Sequence, residues 1–319
     1  MDSLPQVYVT RRLPGGLEAR LLPHTRLRVW PERGAPARAA LLAELSDCEG
    51  LLCMLSDRID DELFAAAPRL RVVSSLSVGV DHIDLAAARR RGIPIGHTPG
   101  VLVEATADLC FALLLAAARR IPEADAFVRE GRWQRWEPDL LLGRELAGAT
   151  LGILGLGAIG RAVARRAQGF GLRVRGWTRS GRGAPGVESV GFDALLASSD
   201  FLSLHLALAP ETRGLLGRAE LARVKPGAIL VNTARGGIVD EAALADALRS
   251  GRLAAAALDV FEVEPLPAGH PLLALPRERL VLAPHIGSAT LATRTRMAEL
   301  AVENLLAGLA GRPLRHRAD

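Results

Sequence analysis

The sequence predicts an α/β protein made of two parallel-sheet domains, and three observations carry that reading. Short β-type runs alternate with amphipathic helical runs, as expected of parallel strands joined by helical crossovers. The alternation breaks once, at His97-Thr98-Pro99-Gly100, and a second series begins near Thr150. At the head of that second series, Gly155-Leu156-Gly157-Ala158-Ile159-Gly160 lies between an apolar β-type run and a helix-forming run. A chain of 319 residues, 49% apolar and 24% charged, has the length and composition for two packed domains.

In chain order, the first series reads as strands at Val7–Thr10, Leu27–Trp30, Gly50–Leu55, Leu70–Leu76 and Ile93–Gly96, with helical spacing at Leu41–Leu45, Ile59–Ala67 and Ile83–Arg91. It fills residues 1–98 and holds no glycine fingerprint. A long helical run, Val101–Arg119, follows the Pro-Gly break and is placed to bridge two domains. The second series reads as six strands: Thr150–Leu154, Leu172–Thr178, Phe201–Leu206, Ala228–Thr233, Ala255–Val260 and Leu280–Ala283. A last helical stretch, about Ser288–Leu309, has no strand of its own and is expected to return and cover the first domain. The expected division is therefore 1–98 completed by 286–319, around 99–285.

The glycine motif carries the first chemistry. Gly155 permits a tight turn, Gly157 lets the backbone approach a pyrophosphate, and Gly160 lets the helix pack close to the strand. The free N–H groups and positive dipole end of the helix face the phosphates. Between a strand and a helix the motif predicts a dinucleotide site, with Ala158 and Ile159 opening the helix. The bland alternative is a structural glycine turn.

Other chemistries are set aside. The net charge is +5, and Lys225 is the only lysine among 40 basic residues. The basic residues are scattered, without the aromatic-interleaved stripe of a nucleic-acid surface. Cys48, Cys53 and Cys110 form no CxxC pair and read as buried apolar groups in a reducing compartment. No Asp/Glu/His set has metal-ligand spacing, so no metal is expected. Apolar runs such as Leu109–Ala118 are too short for a membrane span, and no signal-peptide pattern is seen, so the cytoplasm is the expected location.

Three residues fall just after strands of the second series, where open α/β sheets bind ligands. Arg235 sits in Asn232-Thr233-Ala234-Arg235-Gly236-Gly237, and its planar guanidinium suits bidentate capture of a carboxylate. Glu264 lies in Phe261-Glu262-Val263-Glu264-Pro265, and His285 in Pro284-His285-Ile286-Gly287-Ser288. Singly these read as a salt-bridge arginine, a loop acid and a structural histidine. Together they supply an anion clamp, an orienter and an acid/base around a nicotinamide. His82, His205 and His270 lack such company and read as structural.

With these motifs in order, the chain resembles the D-isomer-specific 2-hydroxyacid dehydrogenases, and among them the glyoxylate/hydroxypyruvate reductases. Ser77-Val78-Gly79-Val80-Asp81, Leu258-Asp259-Val260-Phe261 with Glu264-Pro265-Leu266-Pro267, and Pro284-His285-Ile286-Gly287-Ser288-Ala289-Thr290 extend the match over nearly the whole chain. The resemblance implies two Rossmann-like or flavodoxin-like parallel-sheet domains with the active site in the cleft between them. It also implies that Arg235 and the N–H groups of Val78 and Gly79 hold the substrate carboxylate, with Ser288 nearby. His285 would give a proton to the carbonyl oxygen as hydride arrives from the nicotinamide. Glu264 would fix the imidazole tautomer and keep it protonated near neutral pH, while Asp259 contacts the carboxamide. Thr106, Thr178, Ala207, Thr212, Thr233, Ala234 and Gly287 complete the implied cofactor site. One departure is Leu206-Ala207-Leu208-Ala209-Pro210-Glu211-Thr212, where family members often carry Pro and Thr.

Glu264 speaks against the formate dehydrogenases, which carry glutamine there, and the length against the long phosphoglycerate dehydrogenases with a regulatory extension. A small 2-oxo acid, glyoxylate or hydroxypyruvate, is the expected substrate, reduced to glycolate or D-glycerate. A D-3-phosphoglycerate or other D-2-hydroxyacid dehydrogenase is the alternative within the family. An NAD(H)-sensing corepressor-like protein is the alternative of a different class, disfavoured by the near absence of tails. About twenty residues past the glycines, NAD enzymes place an acid for the ribose 2′-OH. Here Trp177-Thr178-Arg179-Ser180-Gly181-Arg182 has none, and Arg179 and Ser180 suit a 2′-phosphate, so NADP(H) is favoured and NAD(H) possible. Trp133 and Trp136 read either as a helix end packed on its own domain or, by the resemblance, as a homodimer feature, Trp136 reaching the partner's substrate site.

Overall fold

The computed structural model describes residues 4–318. The first series comprises β1 (Gln6–Val9), β2 (Arg26–Val29), α1 (Arg38–Glu44), β3 (Gly50–Cys53), α2 (Asp61–Ala66), β4 (Val72–Ser75), α3 (Leu85–Arg90) and β5 (Ile95–Gly96). Next come α4 (Val103–Ala118), α5 (Ile121–Arg129), β6 (Thr150–Leu154), α6 (Ala158–Gly169), β7 (Arg173–Trp177), β8 (Glu188–Ser189), α7 (Phe192–Ser198), β9 (Phe201–Leu204) and α8 (Arg218–Arg223). They are followed by β10 (Ala228–Asn232), α9 (Glu241–Arg249), β11 (Leu253–Leu258), β12 (Leu280–Leu282), α10 (Leu291–Leu309) and β13 (Arg317–Ala318). The chain divides into two compact units, one running to Leu102 and resuming at Ser288, the other spanning Val103–Gly287.

The first unit has the strand order β13-β5-β4-β3-β1-β2, parallel except for β13, which runs antiparallel to β5. Among its parallel strands this is the 2-1-3-4-5 order of flavodoxin-like sheets. Strands β1, β3 and β4 are buried along their whole length, as continuous apolar runs such as Gly50-Leu51-Leu52-Cys53 require when both faces are covered. Helices α1, α2 and α3 cover one face through Leu41, Leu45, Leu63, Phe64 and Ala87. The other face is closed by α10, whose Ala298, Ala301, Val302 and Leu305 pack on Val9, Leu52 and Val72. Each fully buried Leu or Val contributes on the order of 1.5–3 kcal/mol. Asp60, Asp84 and Thr290 cap α2, α3 and α10 by accepting backbone N–H groups of the first turn.

The second unit is a seven-stranded all-parallel sheet, β12-β11-β10-β9-β6-β7-β8. Its order is the doubly wound 3-2-1-4-5-6 extended by one strand, and it reverses between β6 and β9. Helices α4 and α6 cover one face through Cys110, Leu114 and Val163; α7, α8 and α9 cover the other through Leu196, Leu221 and Leu244.

Four differences from the expected elements have physical causes. The run Val101–Arg119, expected to bridge two domains, forms α4, which is apolar on nearly every side and packs as a core helix of the second unit. A further helix, α5, stands where none was expected, and no residue of it is buried. Trp133 and Trp136 do not pack back on their own domain; they follow α5 at 56% and 74% exposure. Two-residue strands β8 and β13 were invisible because so short a run has no periodicity to read.

Candidate active site

The glycine turn opens at the end of β6, beside the point of strand-order reversal. Gly155 has φ +96°, and a Cβ there would lie 2.6 Å from the His205 carbonyl oxygen. A Cβ on Gly160 would lie 2.0 Å from the Gly155 carbonyl oxygen, so helix and turn interlock. A Cβ on Gly157 would meet nothing within 4 Å. Gly157 is also the N-cap of α6 and offers no side chain to the N–H groups of the first turn, which leaves them and the exposed Ala158 open to a diphosphate. The residues present therefore fit a dinucleotide, with one wall formed by the close approach of Gly155 to β9.

Past β7, the Thr178 hydroxyl donates to the Arg182 carbonyl at 2.9 Å, and Gly181 N–H closes the turn on Thr178. This turn presents Arg179 and Ser180 to solvent. Arg179 pairs with Glu211 of the loop after β9 at 3.2 Å, an acid that the sequence pattern does not place there. Its own backbone N–H and the Arg179 guanidinium hold the Glu211 carboxyl below the ordinary glutamate range. In the same loop the Thr212 hydroxyl donates to Ala207 O at 2.7 Å and accepts from Ala209 N–H, so it is engaged in shaping the loop.

Arg235 follows β10. The buried Asn232 side chain grips its loop twice, donating to Arg235 O at 2.9 Å and accepting from Ala234 N–H at 3.0 Å. A Cβ on Gly236 would lie 1.8 Å from the Phe261 carbonyl carbon, so the arginine loop is pressed against the segment that carries Glu264. The roles of Asn232 and Gly236 were missed in sequence, although both lie in the motif around Arg235; their partners are dozens of residues away or on the backbone.

Glu264 accepts the Phe261 N–H through Oε1 at 2.9 Å and meets His285 Nδ1 through Oε2 at 2.6 Å. Burial pushes its carboxyl up. The His285 and Phe261 hydrogen bonds, with the nearby charges of His285 and Arg235, outweigh that and hold it below the ordinary range. A carboxylate only accepts, so Nδ1 carries the proton and Nε2 is the nitrogen left for a substrate. His285 stands at φ +53°, a conformation rare for a side-chain-bearing residue.

Asp259 explains that conformation. Its backbone carbonyl accepts His285 N–H at 2.8 Å, and its two carboxylate oxygens accept Ile286 N–H at 2.7 Å and Gly287 N–H at 2.8 Å. Three consecutive N–H groups converge on one buried residue, which winds the turn tightly. Burial raises the Asp259 carboxyl above the ordinary range, opposed by those N–H donors. Thr106 of α4 adds a hydrogen bond to Gly287 O at 3.2 Å. In this structure Asp259 and Thr106 hold the histidine turn. Thr233 and Ala234, expected at the cofactor, are largely buried.

Val78 and Gly79 lie after β4 in the first unit, as does Ser288 where the chain returns to it, whereas the Arg235, Glu264 and His285 set belongs wholly to the second. The Ser77 hydroxyl donates to Gly79 O at 2.7 Å and His97 Nδ1 bonds Val78 O at 2.9 Å. Among the other histidines, His205 is bonded through Nε2 to Ser203, His82 to Ser75, and His270 to Glu241. The three cysteines are free and buried. Among the described residues no His/Cys/Asp/Glu group could hold a metal ion, and no helix is long and apolar enough to cross a membrane.

A doubly wound sheet with a dinucleotide turn, and a histidine–glutamate pair beside an arginine at neighbouring strand ends, define a nicotinamide-dependent dehydrogenase. Residues 111–287 match the family model of the D-isomer specific 2-hydroxyacid dehydrogenase NAD-binding domain. The chain is 49% identical over 308 residues to a glyoxylate reductase of Korarchaeum cryptofilum, covering 95% of this chain and 92% of that protein. It is 49% identical over 317 residues to a glyoxylate reductase of Aeropyrum pernix, covering 97% and 94%. A crystal structure of a Thermus thermophilus protein superposes with a TM-score of 0.92 at 51% identity, covering 98% of this chain and 100% of that one. An NADPH-dependent glyoxylate/hydroxypyruvate reductase of Sinorhizobium meliloti, solved with NADP and malonate, superposes at 0.89 with 32% identity over 99% and 97% of the two chains. The chain belongs to the D-isomer-specific 2-hydroxyacid dehydrogenase family and is an NAD(P)-dependent oxidoreductase.

Proposed function

We propose that this enzyme reduces glyoxylate and hydroxypyruvate to glycolate and D-glycerate, using NADPH in preference to NADH. The observation that carries the proposal is the 2.6 Å His285–Glu264 pair, held by backbone N–H groups beside the Arg235 loop. Bound reduced nicotinamide supplies a hydride to the substrate's carbonyl carbon. His285 Nε2 gives its proton to the carbonyl oxygen, the Nδ1 proton stays on the Glu264 bond, and the imidazole regains a proton from solvent. Arg235 takes a carboxylate as a fork, and the Val78 and Gly79 N–H groups are carboxylate donors in the first unit. Gly155, Gly157, Ala158, Ile159 and Gly160 receive the diphosphate; Arg179 and Ser180 take the 2′-phosphate. Relatives bearing the name glyoxylate reductase at close to half identity over nearly the full length support this substrate choice.

The same reading makes the protein a cytoplasmic homodimer. Exposed Ile121, Val128, Trp133, Trp136 and Leu142 cluster within one stretch of sequence on and after α5, the composition of a buried interface. Trp136 of each copy then limits substrate length in the other. Light scattering checks the dimer, and Trp136→Ala should change the ratio of kcat/KM values for hydroxypyruvate and longer 2-oxo acids. A monomer would remove this part of the proposal. The function is tested by steady-state kinetics with glyoxylate, hydroxypyruvate, pyruvate and 3-phosphohydroxypyruvate and both reduced cofactors. Highest kcat/KM with the two- and three-carbon unphosphorylated acids is expected. A preference for the phosphorylated acid would move the enzyme elsewhere in its family, and cofactor binding without turnover would point to a sensor.

A further inference from the structure

We infer that His97 is a positioning residue for the substrate carboxylate, acting through the Val78–Gly79 peptide. The inference rests on the reading above that the N–H groups of Val78 and Gly79 hold that anion. In a trans peptide the C=O of one residue and the N–H of the next lie in one plane and point in opposite directions. Whatever holds the carbonyl therefore aims the following N–H.

The two planes are held by neighbouring residues, one each by Thr98 and His97. The Ser77 carbonyl accepts the Thr98 N–H at 2.8 Å, which sets the direction of the Val78 N–H. The Val78 carbonyl accepts His97 Nδ1–H at 2.9 Å, which sets the direction of the Gly79 N–H. Neither Val78 N–H nor Gly79 N–H has a hydrogen-bond partner among the described residues. A third bond, from Ser77 Oγ to Gly79 O at 2.7 Å, fixes the next plane, and its donor is fed in turn by Ser75 Oγ and His82 Nε2 at 2.7 Å and 3.0 Å. Because the Gly79 carbonyl only accepts, the protons in this chain all run one way, from His82 toward Gly79.

His97 is itself braced from the far end of the chain. Its N–H donates to His316 O at 3.2 Å, and its carbonyl accepts the side chain of buried Asn304 at 3.0 Å. A Cβ on Gly96 would lie 2.8 Å from Asn304 Cβ, so this contact leaves no slack. The Val78 carbonyl can only accept, so His97 is confined to the tautomer with hydrogen on Nδ1. The other tautomer would oppose two lone pairs and release the peptide plane to rotate. His97 touches no reacting atom; its part is to keep one N–H aimed.

The test compares wild type, His97→Asn and His97→Leu. Asparagine places an amide N–H near the position of Nδ1, and leucine has a similar shape without a donor. Oxamate, a 2-oxo acid analogue, is titrated in the presence of NADH while the backbone amide signals of Val78 and Gly79 are followed by NMR, with glyoxylate kinetics and NADH affinity alongside. In wild type both amides should shift on oxamate binding. His97→Leu should raise the oxamate Kd and the glyoxylate KM by on the order of tenfold, the scale of one weakened hydrogen bond to an anion, with kcat and NADH affinity retained. His97→Asn should recover most of that loss. If His97→Leu does not fold, His97→Ala, smaller and equally without a donor, takes its place. Shifting amides with unchanged oxamate affinity in the donorless variant would overturn the positioning role and leave the carboxylate reading standing. Silent amides in wild type would sink that reading and this inference with it. A parallel loss of kcat, NADH affinity and oxamate affinity in both variants would mark His97 as a general structural residue.

Discussion

Replacing Glu264 by glutamine should cut kcat far more than it raises KM, and the structure says why. Phe261 N–H donates to Oε1 at 2.9 Å, and a backbone N–H can only donate. In Glu264→Gln the amide oxygen is therefore held at Phe261 and the amide NH2 is turned toward His285 Nδ1, where Oε2 stood at 2.6 Å. Facing a donor, Nδ1 loses its acceptor, so the ring that carries a proton on both nitrogens, the form that gives up the Nε2 proton, loses its Nδ1 partner and its counter-charge together. The alternative orientation sets NH2 against the Phe261 N–H and is no better. The lost interaction is a charge-assisted hydrogen bond of about 1.5–3 kcal/mol, which at about 1.4 kcal/mol per decade is a fall in kcat of roughly 10-fold to 150-fold. KM for glyoxylate should move little, since Arg235 is gripped by Asn232 and pressed on Phe261 through backbone that the substitution leaves alone. Steady-state kinetics at pH 7, with NADPH fluorescence titration to show intact cofactor binding, is the assay. A variant with wild-type kcat, or one whose whole defect lies in KM, would refute the role given to the pair.

Arg235→Lys keeps the charge and loses the fork, and should lower kcat/KM for glyoxylate by on the order of tenfold or more; unchanged kcat/KM would dismiss Arg235 as the carboxylate clamp. Glu211 already pairs with Arg179 at 3.2 Å, so on the proposed role of Arg179 toward a 2′-phosphate, Glu211→Gln should shift the kcat/KM ratio toward NADPH and Arg179→Ala toward NADH. Wild type favouring NADH would show that the lack of an acid after β7 does not set the choice of cofactor. His205 is stabilised as the neutral ring, its pKa lowered by burial from 6.5 to about 3. The unfolded chain therefore binds a proton that the native chain refuses. Its contribution is intact above about pH 6.5 and is lost as pH falls from there toward 3, at up to about 2 kcal/mol by pH 5. His205→Gln should accordingly flatten the fall in Tm between pH 7 and pH 5; an unchanged slope would place the acid sensitivity elsewhere.

Local pattern determined much of this protein. The alternation of β runs and helices, the glycine turn ahead of α6 and the three strand-end residues Arg235, Glu264 and His285 could all be read in sequence. Strands buried on both faces must be apolar throughout, and a dinucleotide turn needs its glycines at set spacing. What tertiary structure alone decided are relations between residues far apart in the chain. The choice between a bridging helix and a core helix for α4 depended on what surrounds it. Glu211 as the partner of Arg179, Asp259 as the residue that winds the His285 turn, and Gly236 as a point of backbone contact all depend on loops from different strands meeting at one end of a sheet. The brace from Asn304 and His316 to His97, and from it to the Val78 carbonyl, spans most of the chain length. A hydrogen bond of about 3 Å has no sequence period, so such pairings appear only once the strand order has brought their loops together.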